Sequence, residues 1–139
     1  MKLYYAPGTI SLMPHVALIE SGLPPFVAVG VDEATKRTSD GEDYRVINPL
    51  GYIPALILGD GSVLLEAAAI AQYVADHDLT GKLAPAHGTI ERAKLHAWLN
   101  FLSSEMHKGA LGPCSTRHWT KGPRMSSAKR LRLRVTFVE

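Results

Sequence analysis

A proline set at the mouth of an apolar run constrains this chain most: Ile53-Pro54-Ala55-Leu56-Ile57-Leu58. Proline has no amide hydrogen for a ladder, so the run is a strand only with the proline at its start or edge. Gly59-Asp60-Gly61 follows as a hairpin turn, and Val63–Leu65 reads as the return strand. A second short apolar strand is predicted at Lys2–Tyr5, ended by Pro7-Gly8, and a valine-rich one at Phe26–Val31.

Helical spacing occupies the intervals. From Ser11, a candidate N-cap, Leu12, His15, Val16, Ile19 and Leu23 recur at three- and four-residue steps. Pro14 lies in the permissive first turn, and Gly22 suits the stop. Thr35–Asp43 is polar and turn-like, Glu42–Ile47 is a short helix candidate, and Asn48-Pro49-Leu50-Gly51 is a dense turn signal. Glu66–Asp78 is predicted as a helix with Ala69, Ile70, Tyr73 and Val74 facing inward. Strand, helix, strand, helix, hairpin and helix in that order predict an α/β layer whose sheet mixes parallel and antiparallel neighbours.

Leu79–Gly88 reads as a linker, and Thr89 caps a further helix with Glu91 in its first turn. On that helix Leu95, Trp98, Leu99, Leu102 and Met106 share one face, and His96, Asn100, Ser103, Ser104 and His107 share the adjoining one. With 46% hydrophobic and 20% charged residues, the composition excludes disorder. The single cysteine, Cys114, excludes an internal disulfide framework, a multi-cysteine metal site and a CxxC redox pair. No apolar run approaches the ~20 residues that cross a bilayer, and the N-terminus is broken too early for a signal peptide. The expectation is a soluble, cytoplasmic protein.

These elements and motifs, taken in order, resemble the glutathione S-transferases, nearest to the bacterial beta class. The residues that carry the resemblance are Lys2–Gly8, Ser11–Leu18, Asn48–Leu56, Leu65–Ile70 and Trp98–Lys108. The resemblance implies a thioredoxin-like, glutathione-binding domain over 1–78 with a mixed four-stranded sheet, and a linker over 79–88. It further implies the first helix of an all-helical domain over 89–113, leaving 114–139 as an atypical basic tail. The implied activity is conjugation of the glutathione thiolate to hydrophobic electrophiles, a detoxification chemistry with glutathione as co-substrate and no metal. The implied partners are glutathione and the electrophile, without nucleic acid or membrane; monomer and homodimer stay open.

The resemblance also assigns residues. Pro54 becomes a cis-proline that turns the Ile53 main chain toward the cysteinyl part of glutathione. Glu66 and the Ala67 amide hold the γ-glutamyl end, and Lys36 reaches the glycyl carboxylate. Asn100, Ser104 and His107 face the site from the helix after the linker, with His107 hydrogen-bonding the thiolate or polarising the electrophile. His15 is expected to be structural. Beta-class members place a cysteine at position 10, where this chain has Ile10. Isoleucine neither attacks nor donates a hydrogen bond; Thr9, Ser11 and Tyr5 are the nearby hydroxyls, with Ser11 the first candidate thiolate donor and N-cap duty as its other role. Ile10, Ala67 and an incomplete helical domain motivate the alternative, a non-catalytic glutathione-binding or interaction domain.

Charge divides the chain. Residues 1–113 carry 8 Lys/Arg against 12 Asp/Glu, whereas 114–139 carry 7 against one, Glu139. The basic segment lacks a nucleic-acid recognition motif and also the apolar periodicity of a helical domain. A truncated or frame-altered continuation beyond Pro113 is the expectation that fits this change of character.

Overall fold

The computed structural model of the protein describes residues 1–111, with side chains to His107; the predicted basic tail lies outside them. Strand β1 (Lys2–Tyr5) pairs in parallel with β2 (Val27–Gly30), and the connection between them is helix α1 (Leu12–Glu20). β1 also pairs antiparallel with β3 (Ala55–Ile57), which turns at Gly59–Gly61 into antiparallel β4 (Val63–Leu65). The sheet order is β2-β1-β3-β4, the mixed four-stranded sheet predicted. Helix α2 (Ala67–Asp76) follows, and α3 (Ile90–Phe101) runs on as a π-helical segment, Leu102–Leu111.

Period-two alternation splits the strands between two cores. Leu3 and Leu56, opposite one another in the register, meet Leu18 of α1 and Ile70 and Val74 of α2 on one face. Tyr4 and Ala55, the next pair, join Val29, Val31 and Tyr44 on the other. Each of the buried leucine, isoleucine and valine side chains contributes about 1.5–3 kcal/mol relative to exposure. Tyr44 opens a 3-10 turn, Tyr44–Val46, where the sequence suggested a helix over 42–47. Asp43 caps it by accepting from the Arg45 amide, and the Tyr44 ring packs on Tyr4 at 5.6 Å between centroids.

Some expected faces are corrected. On α1 the stripe Leu12, Val16, Ile19 is the outer face, exposed at 66%, 46% and 63%, while Pro14 and Leu18 are buried. Both sides of this helix are apolar, so spacing alone had two solutions and packing on the sheet selected the other. On α2, Ala71 is buried in place of the expected Ala69, which is exposed. Ser11 stands at the N-cap position but makes no side-chain cap. Thr89 does cap α3, accepting from the Arg92 amide at 3.2 Å. The buried side chains of α3 are Arg92 and Leu99, and Trp98 stays exposed.

Candidate active site

β1 and β4 end, and β3 begins, at the same edge of the sheet, because β3 runs antiparallel to both. A cavity of about 530 Å³ opens along this edge. Its lining comes from Ile10 before α1, Glu33 and Lys36 after β2, and Asn48 to Pro54 before β3 (residue 49 excepted). Leu65, Glu66 and Ala67 at the β4–α2 junction, and Asn100, Ser103, Ser104 and His107 from α3 and its π continuation, complete it.

The loop into β3 is held from below. The Tyr52 carbonyl accepts from the Tyr44 hydroxyl at 2.8 Å and from the Asn48 side-chain Nδ2 at 2.7 Å. Asn48 Oδ1 in turn accepts from the Leu50 amide at 3.2 Å. The Ile53–Pro54 bond is cis, as expected. Ile53 lines the cavity just ahead of the strand, before the ladder that begins at Ala55.

Lys36 and Glu66 are the non-glycine residues of positive φ among those described, +59° and +68°, and both line the cavity. Such conformations cost on the order of 1–3 kcal/mol and concentrate where a site demands them. Lys36 is pinned by main-chain bonds, its amide to the Asp32 carbonyl and its carbonyl from the Tyr44 amide, both at 2.9 Å. Its side-chain stem runs beside Gly51, 3.4 Å from where a Cβ would stand. Asp32, beside it, is held below the usual carboxylate range chiefly by hydrogen bonds from Thr35. Glu66 occupies the N-cap position of α2 and its side chain makes no cap hydrogen bond, so the first-turn amides are not capped by it.

The far wall is α3. Asn100 and Ser104 are exposed, and the Ser104 hydroxyl donates to the Asn100 carbonyl at 2.9 Å. Ser103 was read only as part of the helix face, yet it lines the cavity with a buried hydroxyl that has no partner among the described residues. Nothing in the sequence beyond that shared face marks it. Glu33, Leu50 and Tyr52 likewise gave no signal, and Asn48 was read only as turn.

Ser11 and Tyr5 are not brought to the cavity. Ser11 is 1% exposed, and its hydroxyl accepts from the Ala6 amide at 3.1 Å and donates to the Ala6 carbonyl at 2.9 Å. It also meets the Thr9 hydroxyl at 2.7 Å. Tyr5 packs on the His15 ring at 4.9 Å between centroids, and His15 meets Phe26 at 5.7 Å. The geometry gives the expected thiolate-donor role of Ser11 and Tyr5 no support: one hydroxyl closes the turn before α1, and the other ring belongs to the core. Ile10 does reach the cavity, as an apolar wall. Among the described residues no group of three or more His, Cys, Asp or Glu could hold a metal, and no helix is long and apolar enough to cross a membrane.

A mixed sheet whose cis-proline loop opens on a cavity closed by a following helix defines a thioredoxin-like transferase half. Residues 9–77 match the family model for the glutathione S-transferase N-terminal domain. The bacterial transferase BphK, solved as a ternary complex, is 47% identical with a TM-score of 0.88, over 99% of this chain and 68% of its own. The chain belongs to the glutathione S-transferase family. Two sphingomonad transferases, one solved with glutathione and one described as bacterial beta class, are each 40% identical with a TM-score of 0.87. The similarity covers 99% of this chain and 68% of each of theirs. Glutathione S-transferase GstA of Escherichia coli O157:H7 is 46% identical over 109 residues, 78% of this chain and 54% of that protein. The chain spans about half the length of the curated relatives it matches, 54% and 50% for two of them.

Proposed function

We propose that the cavity binds glutathione and that the protein conjugates its thiolate to hydrophobic electrophiles. The observation that carries this reading is the placement of Lys36, Glu66 and the Ile53 main chain around one cavity. Glutathione has a carboxylate at each end, an ammonium at the γ-glutamyl end and a cysteine between. Lys36 complements the glycyl carboxylate, Glu66 the ammonium, and the first amides of α2 the other carboxylate. The cysteinyl segment pairs with the Ile53 main chain in strand-like fashion, opposite Pro54. Residues 1–78 are then the glutathione module, and 89–113 begin the domain that receives the electrophile.

A free thiol ionises near 8.5, so the site must favour the thiolate. With Ile10 apolar, and with Ser11 and Tyr5 engaged elsewhere, the donors to the sulfur come from the α3 wall. His107 takes that role, with Asn100 and Ser104 beside it orienting the peptide. The sulfur lone pair forms a bond to the electrophilic carbon, the leaving group departs with its bonding pair, and the thiol proton passes to solvent. The exposed side chains of Leu50 and Tyr52 at the cavity, with exposed Val46 in the preceding turn, support association of two copies.

The test is conjugation of glutathione to an activated aryl halide by the full chain and by His107→Ala. Turnover that falls about 100-fold in the variant, with glutathione affinity kept within a few-fold, is the expected result. Glutathione binding without turnover in the parent chain would overturn the transferase reading and leave a binding domain.

A further inference from the structure

We propose that Arg92 is a positioning residue for the thiol-activating wall of the cavity, holding α3 at the angle that presents Asn100, Ser103 and His107. This rests on the reading of the cavity as a glutathione site. Arg92 is 4% exposed, and a charge taken so far from water persists only with several partners. Its partners come from two other segments. The guanidinium pairs with Asp76 in the last turn of α2 and donates to the Pro85 carbonyl at 3.0 Å. It also lies 3.3 Å from Nε2 of His87 in the connector. His87 Nε2 is itself 3.1 Å from the Asp76 carboxylate, so one carboxylate gathers both. Among the described residues the buried Arg92 Nε has no partner, so the contacts of the guanidinium are made by its terminal nitrogens.

α3 is anchored sparsely, with Arg92 and Leu99 as its buried side chains. The groups it offers the cavity lie well beyond Arg92, with Leu99 as the one other buried contact of the helix. At 1.5 Å per residue, Asn100 stands about 12 Å along the axis from Arg92, and His107 stands roughly 20 Å along. Pivoting such an arm by about 5° moves its far end by nearly 2 Å, and a displacement of about 1 Å can cost on the order of 100-fold in rate. Lys36, Ile53, Glu66 and Ala67 belong to the other side of the cavity and do not move with the arm. Loss of the anchor therefore separates two properties: glutathione stays, and the activation of its thiol goes.

Arg92→Lys and Asp76→Asn, each in the full chain, test this. The ionisation of bound glutathione is followed by thiolate absorbance against pH, its affinity by calorimetry, and folding by the unfolding midpoint. Both variants are expected to bind glutathione within about threefold of the parent, while the thiol pKa rises by about one unit toward its ordinary value. If Arg92→Lys does not fold, Asp76→Asn carries the test, because its carboxamide still accepts from the guanidinium. An unchanged thiol pKa in a variant with a lowered midpoint would overturn the proposal and leave Arg92 merely structural. A distance distribution between spin labels at S62C and E105C, near the far end of the arm, in a C114S background, needs no ligand. It is expected to broaden in Asp76→Asn, and an unchanged distribution overturns the proposal even where glutathione is retained. A parent chain that fails to bind glutathione, with the broadening present, overturns the reading of the cavity and leaves the anchoring role standing.

Discussion

Replacing Ser11 with alanine separates a structural hydroxyl from a catalytic one. The side chain is 1% exposed and closes a ring of bonds with the Ala6 main chain and Thr9. Removing it leaves the Ala6 amide buried with no acceptor, whereas the Ala6 carbonyl keeps its bond from the Thr9 hydroxyl at 2.8 Å. A buried unpaired amide costs about 1–3 kcal/mol, so a loss of roughly 2 kcal/mol is expected. For a chain of 139 residues that lowers Tm by roughly 5–10 °C. A thiolate donor lost from the site would instead cost on the order of 100- to 1,000-fold in turnover with little effect on folding. Urea unfolding, paired with kcat/KM well below both transitions, distinguishes the two. The structure predicts a lowered midpoint with kcat/KM per folded molecule within about threefold. A large fall in turnover at an unchanged midpoint would refute the structural assignment.

Other positions give complementary expectations. Lys36→Met should weaken glutathione binding about tenfold by calorimetry, the loss of one charge-assisted hydrogen bond, while the unfolding midpoint moves by less than about 0.5 kcal/mol. Glu66→Gly should raise stability by roughly 1 kcal/mol, because φ of +68° no longer strains a side chain, and should still lose glutathione affinity. Burial holds the Tyr44 phenol up at about 12, against the opposing hydrogen bond with Asn48. Its folded form keeps the proton to higher pH than the unfolded one does. The stability it contributes is therefore full below about pH 10 and is lost as the pH rises toward about 12. Tyr44→Phe should flatten that alkaline decline in unfolding measured across the range, while costing the bond to the Tyr52 carbonyl at neutral pH.

The parts of the fold visible in the sequence are those with one physical solution. Pro54 before an apolar run, followed by Gly59-Asp60-Gly61, admits little except a hairpin with the proline at its head, and β3 and β4 form there. Thr89 with Glu91 marked the start of α3 in the same way. Where two solutions existed, spacing could not choose. α1 is apolar on both sides, and α2 opens with Ala67, Ala68 and Ala69, so burial was decided by contact with Leu3 and Leu56 rather than by pattern. The cavity was half legible. The family resemblance pointed to Lys36, Ile53, Pro54, Glu66 and Ala67, all of which line it. Ser11 was ambiguous in the sequence, because a hydroxyl near a helix start looks alike whether it faces a ligand or, as its hydrogen bonds run here, the Ala6 main chain. The positive φ of Lys36 and Glu66 had no signal, since neither is glycine. The π winding after Leu102 and the lone Ser103 hydroxyl depend on how α3 meets the sheet edge, which is a tertiary matter.

Equilibrium unfolding of the purified chain, with and without millimolar glutathione, tests the central claim most directly. A ligand that binds only the folded state stabilises it by RT ln(1 + [L]/Kd), about 2.7 kcal/mol at a hundredfold excess over Kd. The account predicts one cooperative transition that moves upward with glutathione concentration, and no such movement in Lys36→Met at the same concentration. A cooperative transition indifferent to glutathione would contradict it, showing a folded family member whose cavity takes something else.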